Sequence, residues 1–209
     1  MRFVRRYGFG IQSPWAYSFV KDVLCEKLRY YAYDDLLLQF PGRKVNAIKR
    51  DEQLFRLVNF FKPEEVIVPG GCCPCSMAYM QAANKSARVI DADITRLSDI
   101  TQLSDITCLS DIAHLPDIHL PSATFMHIES APFIYIEKEL HTSDIDAIIA
   151  LKNSGPNYLW TLVIDGINKE NRPLWQHLKA TSSHAVLFDM KYRGVAFFDS
   201  HRIGQCYRV

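Results

Sequence analysis

Residues 64–93 constrain the fold of this 209-residue chain more than any other stretch. Val66, Ile67 and Val68 form a short β-branched run, which Pro69, Gly70 and Gly71 break. A cysteine-rich turn, Cys72-Cys73-Pro74-Cys75, leads into Ser76-Met77-Ala78-Tyr79-Met80-Gln81-Ala82-Ala83, a sequence that suits a helix. Ala87-Arg88-Val89-Ile90-Asp91 then reads as a second buried strand that ends on an acid. Strand, glycine turn, helix, strand and acid, with about 20 residues between the glycines and Asp91, is the outline of a nucleotide-binding βαβ unit. In such a unit the glycines let the backbone approach a ligand, and the acid accepts hydrogen bonds from ribose hydroxyls. A βα turn can also need glycine for its positive φ alone, so the pair by itself leaves both readings open.

The chain is long enough to bury a full core as one large domain, or as a domain with an appendage. Lysine and arginine number 24 against 23 acids, a formal charge of +1, which gives no reason to expect a nucleic-acid partner. No run approaches membrane-spanning length, so no membrane partner is expected. The basic opening, residues 1–8, is not followed by a long apolar segment before Ser13-Pro14, and a cytoplasmic protein without a signal peptide is expected. Three of the six cysteines fall within four residues, which suits free thiols better than a disulfide framework.

Ser13-Pro14 is a helix start, a hydroxyl cap followed by proline at the first helical position. Behind it Ala16, Phe19, Val20, Val23 and Leu24 place one apolar face. Tyr30, Tyr31 and Tyr33 are expected to cover a core edge with their hydroxyls in water. Residues 39–50 are polar, contain Pro41-Gly42 and read as a linker. Asp51 then caps a helix carrying Leu54, Leu57, Val58 and Phe61, which ends at Lys62-Pro63. Residues 94–121 repeat a Leu-Ser-Asp-Ile hexad, a period that forms no helical stripe, and read as a tandem duplication lengthening a surface connection. Residues 124–128 form a third apolar run, closing on Glu129-Ser130. Ser143 caps a helix with Ile145, Ile148 and Ile149. Residues 158–164 are nearly all apolar, as in a central strand, and Asp165-Gly166 ends them. A short helix around Leu174, Trp175 and Leu178 precedes two final strands, 185–190 and 194–199, whose tight joint makes them antiparallel. Alternating strands and helices with a terminal hairpin give a mostly parallel α/β sheet of about six or seven strands.

That order of elements resembles the class I S-adenosylmethionine-dependent methyltransferases. Gly8-Phe9-Gly10-Ile11-Gln12-Ser13-Pro14, the stretch from Leu54-Phe55-Arg56-Leu57-Val58 to Lys62-Pro63, and Gly194-Val195-Ala196-Phe197-Phe198-Asp199 look like a Bacteroidetes group of small O-methyltransferase-like proteins. The resemblance implies a Rossmann-like fold: a mostly parallel seven-stranded sheet with a C-terminal antiparallel hairpin and N-terminal helices. It implies an N-terminal helical extension over residues 1–50 and a methyltransferase-type domain over 51–209, with the hexad insertion at 94–121. It also implies S-adenosylmethionine as cofactor, held by Gly70, Gly71, Cys72, Ser76 and Asp91, and a small-molecule acceptor as partner, with a homodimer left open beside a monomer. Acids at two strand ends hold a divalent ion in metal-dependent members, and the resemblance places Glu129 and Asp165 there as catalytic residues and candidate ligands for a divalent metal. Asp165 and His127 are the candidate bases. The chain departs from the family pattern at Val68, where an acid is usual, at Pro74, where the second loop glycine falls, and at Glu129-Ser130-Ala131-Pro132, where the group often has Asp-Gly-Asn-His. These departures keep a degenerate cofactor loop and a non-catalytic binding module with the same fold as an alternative.

Cys72-Cys73-Pro74-Cys75 also resembles the Cys-x-Pro-Cys turn of thioredoxin-like oxidoreductases, in which a helix N-terminus lowers the thiol pKa. On that alternative Cys72 and Cys75 are the redox pair, and Ala131-Pro132-Phe133-Ile134-Tyr135 imitates the proline-led strand. Zinc is less suited, since Cys72, Cys73 and Cys75 do not converge easily on one ion and no second ligand pair follows.

Overall fold

Ser13 and Pro14 start the first helix as their chemistry requires. In the computed structural model, which describes residues 11–91, 133–140, 160–182, 185–199 and 202–209, Ser13 is the N-cap of α1 (Pro14–Phe19) and its hydroxyl accepts the Ala16 N–H at 3.3 Å. The helix runs on as a π-helical turn over Val20–Leu24. After α2 (Ala32–Gln39) comes α3 (Val45–Phe61), which begins earlier than the sequence reading placed it. The polar stretch is linker only as far as Lys44, the N-cap, because residues 45–50 contain no breaker and the helix propagates through them. Asp51 is therefore no cap. It is 5% exposed, with Arg43 Nη2 at 2.6 Å from its Oδ2.

Seven strands follow: β1 (Glu65–Ile67), β2 (Arg88–Ile90), β3 (Phe133–Ile136), β4 (Trp160–Asp165), β5 (Ala185–Asp189), β6 (Arg193–Phe198) and β7 (Gln205–Arg208). Helix α4 (Pro74–Ala83) joins β1 to β2, and α5 (Arg172–Thr181) lies between β4 and β5. The sheet order is β2-β1-β3-β4-β6-β5-β7. Only β6 runs against its neighbours, pairing antiparallel with β4 and β5, and the other four pairings are parallel. The fold is thus Rossmann-like α/β with N-terminal helices and a C-terminal hairpin. β7 was not foreseen: its exposed, polar Gln205 and Arg208 hide a strand that pairs with the outer edge of β5. β2 is less buried than expected, with Arg88 exposed and Val89 and Ile90 half-buried. The 94–121 hexads, the 124–128 run and the helix at 143 lie outside the described residues. The strand beside β1 and β4 is instead Phe133–Ile136.

Alternation along the strands divides the core between two faces. Val66, Phe133, Val163, Phe188 and Phe197 pack against α1 and α3, with Trp15 stacked on Phe19 at 5.5 Å. Ile134, Leu162, Ile164, Leu187, Ala196 and Phe198 pack against Leu174, Trp175 and Leu178 of α5. Both faces are covered, as a parallel sheet requires. Gly194 lies beneath Trp175: a Cβ there would sit 2.6 Å from Trp175 Cε3, and Trp175 is itself only 2% exposed. Gly194→Ala is therefore expected to lower stability by about 1–3 kcal/mol. The check is the urea unfolding midpoint, and an unchanged midpoint would show that the indole can step aside.

Candidate functional site

The chain leaves β1 for β2 on one side and returns to β3 on the other, so β1 and β3 flank a topological switch point. In open parallel sheets the crevice at the carboxyl ends of such strands is where ligands bind, because the two following loops diverge there. Here those loops are residues 68–73 after β1 and 137–140 after β3.

Gly70 and Gly71 have φ of +72° and +75°, values that L side chains rarely adopt, so the glycines are required by the turn itself. A Cβ on Gly71 would lie 3.1 Å from Asp91 Oδ2 and 3.4 Å from Lys138 Nζ. The end of β2 and the end of β3 thus bring an acid and an ammonium together over a bare backbone. Asp91 is exposed and Gly71 buried. Pro74, which lacks an N–H, occupies the first helical position of α4, where that donor would have no helical partner. The departure from the family pattern at this residue is absorbed by the helix start.

Cys73 caps α4, its Sγ accepting the Ser76 N–H at 3.3 Å and lying 3.2 Å from Ser76 Oγ. The Cys73 N–H donates to Glu137 Oε2 at 2.9 Å. Ser76 is 1% exposed, so this cap is closed within the fold. Cys72 is half-buried, and burial first, then the charges of Glu137, Cys73 and Asp91, push its thiol up to about 12. Cys75 is buried and donates to Asp51 Oδ2 at 3.5 Å; burial and Asp51 push it to about 12 as well. Burial and the neighbouring acids thus disfavour the thiolate at both sulfurs, opposite to what a redox pair needs. The sheet order and these raised pKa values together set aside the thioredoxin-like alternative.

Asp165 ends β4 and is 9% exposed. Arg193 grips it through two bonds, Nε to Oδ1 at 2.5 Å and Nη2 to Oδ2 at 2.8 Å, and the Tyr135 hydroxyl donates to Oδ2 at 3.0 Å. Arg193 is 1% exposed; burial opposes its charge, but the Asp165 carboxylate outweighs this and holds its pKa above the ordinary value. The Tyr135 phenol is pushed well above its ordinary value by burial and then by Asp165. Three hydrogen bonds from within the fold thus engage the Asp165 carboxylate, in competition with any metal ion or substrate proton. Glu129 and His127 lie outside the described residues. Among those described, no group of three His, Cys, Asp or Glu is placed to hold a metal ion.

Glu137, Lys138, Tyr135 and Arg193 were not singled out by sequence reasoning. A signal for the first existed, because the run Phe133-Ile134-Tyr135-Ile136 closes on an acid just as the β2 run closes on Asp91. A separate cleft of about 570 Å³, lined by residues such as Leu24, Tyr33, Gln53 and Arg56, shares no residue with the switch point. No helix among the described residues is long and apolar enough to cross a membrane.

No family model and no curated protein matches the chain. Solved structures similar to it include methyltransferases. One from Geobacter sulfurreducens is 12% identical, with 88% of this chain and 97% of that one covered, at a TM-score of 0.44. A release-factor-specific protein-(glutamine-N5) methyltransferase from Alicyclobacillus acidocaldarius is 10% identical, covering 83% and 99%, at 0.40. An O-methyltransferase of tomaymycin synthesis from Streptomyces achromogenes, solved with S-adenosylmethionine, is 12% identical, covering 94% and 98%, at 0.36.

Two outcomes test the chemistry assigned to these groups. At pH 8, peptide-resolved alkylation of Cys72 and Cys75 in the folded chain should be at least about a hundredfold slower than in urea, since the thiolate is the reacting form. Rapid labelling of Cys72 would restore the redox alternative. Asp165→Asn and Arg193→Met, each leaving one member of the pair buried alone, should each cost about 3–5 kcal/mol in urea unfolding. A stable Asp165→Asn chain would return Asp165 to the list of catalytic candidates.

Proposed function

We propose that this chain binds S-adenosylmethionine at the β1/β3 switch point and acts as a methyltransferase on a small-molecule acceptor. The observation that carries this is the bare, positive-φ turn at Gly70 and Gly71 with the Asp91 carboxylate set over it, at the end of the second strand of a βαβ unit. The resemblance seen in the sequence supports the same ligand. The residues fit it: the Asp91 carboxylate, packed over Gly71, accepts hydrogen bonds from ribose hydroxyls, and the Lys138 ammonium beside it pairs with the amino-acid carboxylate. Bound there, the donor supplies a methyl group already activated on a sulfonium. The chain's own task is then to position the acceptor and assist its deprotonation.

A second reading, a binding module without transfer, is favoured by one observation: Arg193 and Tyr135 occupy the carboxylate of Asp165, the acid otherwise nearest to serving as a base. Calorimetric titration with S-adenosylmethionine and S-adenosylhomocysteine tests the donor site common to both readings. Micromolar binding is expected, and Asp91→Ala should weaken it about tenfold to a hundredfold, the value of one or two hydrogen bonds to a charged acceptor. Absence of heat with either compound would overturn the function. Binding without methyl transfer to any phenol or catechol acceptor tried would favour the module.

A further inference from the structure

Glycine turns at helix N-termini commonly hold phosphate, because the first backbone N–H groups point at the anion and the helix dipole favours it. At the head of α4 three of the donor positions are withdrawn. The Cys73 N–H donates to Glu137, Pro74 has none, and the Ser76 N–H donates to Cys73 Sγ. The Gly71 N–H is likewise used, donating to Val68 O at 3.1 Å. A phosphate arriving here would have to displace a carboxylate of the protein itself. Two carboxylates, Glu137 and Asp91, and one ammonium, Lys138, border the turn, while the Arg43 guanidinium near Cys73 is paired with Asp51. The carboxyl end of β1 contributes no acid, since Val68 is apolar and 1% exposed, so the negative charge comes from the ends of β2 and β3.

We infer that Glu137 sets the charge preference of the switch-point site: its carboxylate stands in for a ligand anion at the head of α4, so the site admits a cationic adenosyl ligand and turns away phosphorylated nucleotides. This rests on the methyl-donor function proposed above. Lys138 leaves room for one carboxylate on the ligand, which S-adenosylmethionine has, while its sulfonium gains from Glu137 and Asp91. S-adenosylhomocysteine has the same carboxylate and ammonium but a neutral thioether, and so isolates the effect of the sulfonium charge. The Cys72 thiol lies in the same field, as the contribution of Glu137 to its raised pKa shows.

The test compares the full wild-type chain with Glu137→Gln, which keeps an acceptor for the Cys73 N–H but removes the charge. In calorimetry the wild type should bind S-adenosylmethionine about tenfold more tightly than S-adenosylhomocysteine, as one close charge pair at a wet site allows, and ADP not measurably. In Glu137→Gln the ratio should fall to within about twofold and ADP binding should emerge. Equal wild-type affinity for sulfonium and thioether, wild-type binding of ADP, or an undiminished ratio in the variant would each overturn the role of Glu137 while leaving donor binding intact. If the wild type binds neither adenosyl compound, the proposed function fails, and the charge effect is read without a ligand. Alkylation of Cys72 at pH 9 should then be at least about threefold faster in Glu137→Gln than in wild type, because removing a nearby negative charge favours the thiolate. An unchanged rate would overturn the inference. Urea midpoints of the two chains establish that the variant is folded, and the wild-type ratios stand without it.

Discussion

The buried pair between Arg193 and Asp165 is the joint on which the carboxyl edge of the sheet depends. Withdrawing both charges from water is expensive, and the cost is offset only when nearly every donor and acceptor is satisfied. Here Arg193 uses its fork on Asp165 and gives Nη1 to Arg50 O at 2.8 Å, while Tyr135 completes Asp165. Four elements, α3, β3, β4 and β6, are thereby locked in one register at one level. Asn171 strengthens the same layer, its Nδ2 reaching both Asp165 O and Lys138 O. The loop that presents Glu137 and Lys138 is therefore held from below by a network in which an apolar substitute at one place strands a charge at another.

Above that floor the cysteines act as packing and capping groups. Cys73 does at α4 what serine or aspartate does at most helix starts, with sulfur as a weaker acceptor. Cys75 joins Tyr33, Phe55 and Tyr79 in a small core that fastens α2 and α3 to α4. The turn that looks redox-active in one dimension is thus, in three, a way of seating one helix with small, neutral side chains.

Much of the architecture was legible because it follows from period and punctuation. The apolar runs behind β1, β4, β5 and β6, the Ser13-Pro14 cap and the glycine turn each have a local cause that a sequence displays. The boundary of α3 was less visible, since Asp51 looks like a cap until Arg43 and Cys75 are seen closing around it. β7 escaped because its residues are mostly exposed and polar, so nothing but its pairing with β5 marks it as a strand. At the site, the spacing of the glycine turn and the acid is consistent with the packing of Asp91 over Gly71. Asp165 shows the limit of such reading: a sequence gives an acid at a strand end, but whether it meets solvent or an arginine depends on a residue 28 positions away.

The order of the strands has a kinetic side. β4, β5 and β6 are close in sequence, and β5 and β6 are joined by only a few residues, so their pairing closes short loops. Joining β3 to β1 requires the chain to return across residues 91–132, a far larger closure of the kind that slows folding. The crevice is therefore expected to be the last part of the sheet to assemble and the first to part. A tenant in that crevice would then act as a clasp on the molecule's weakest seam, coupling occupancy to the lifetime of the folded state.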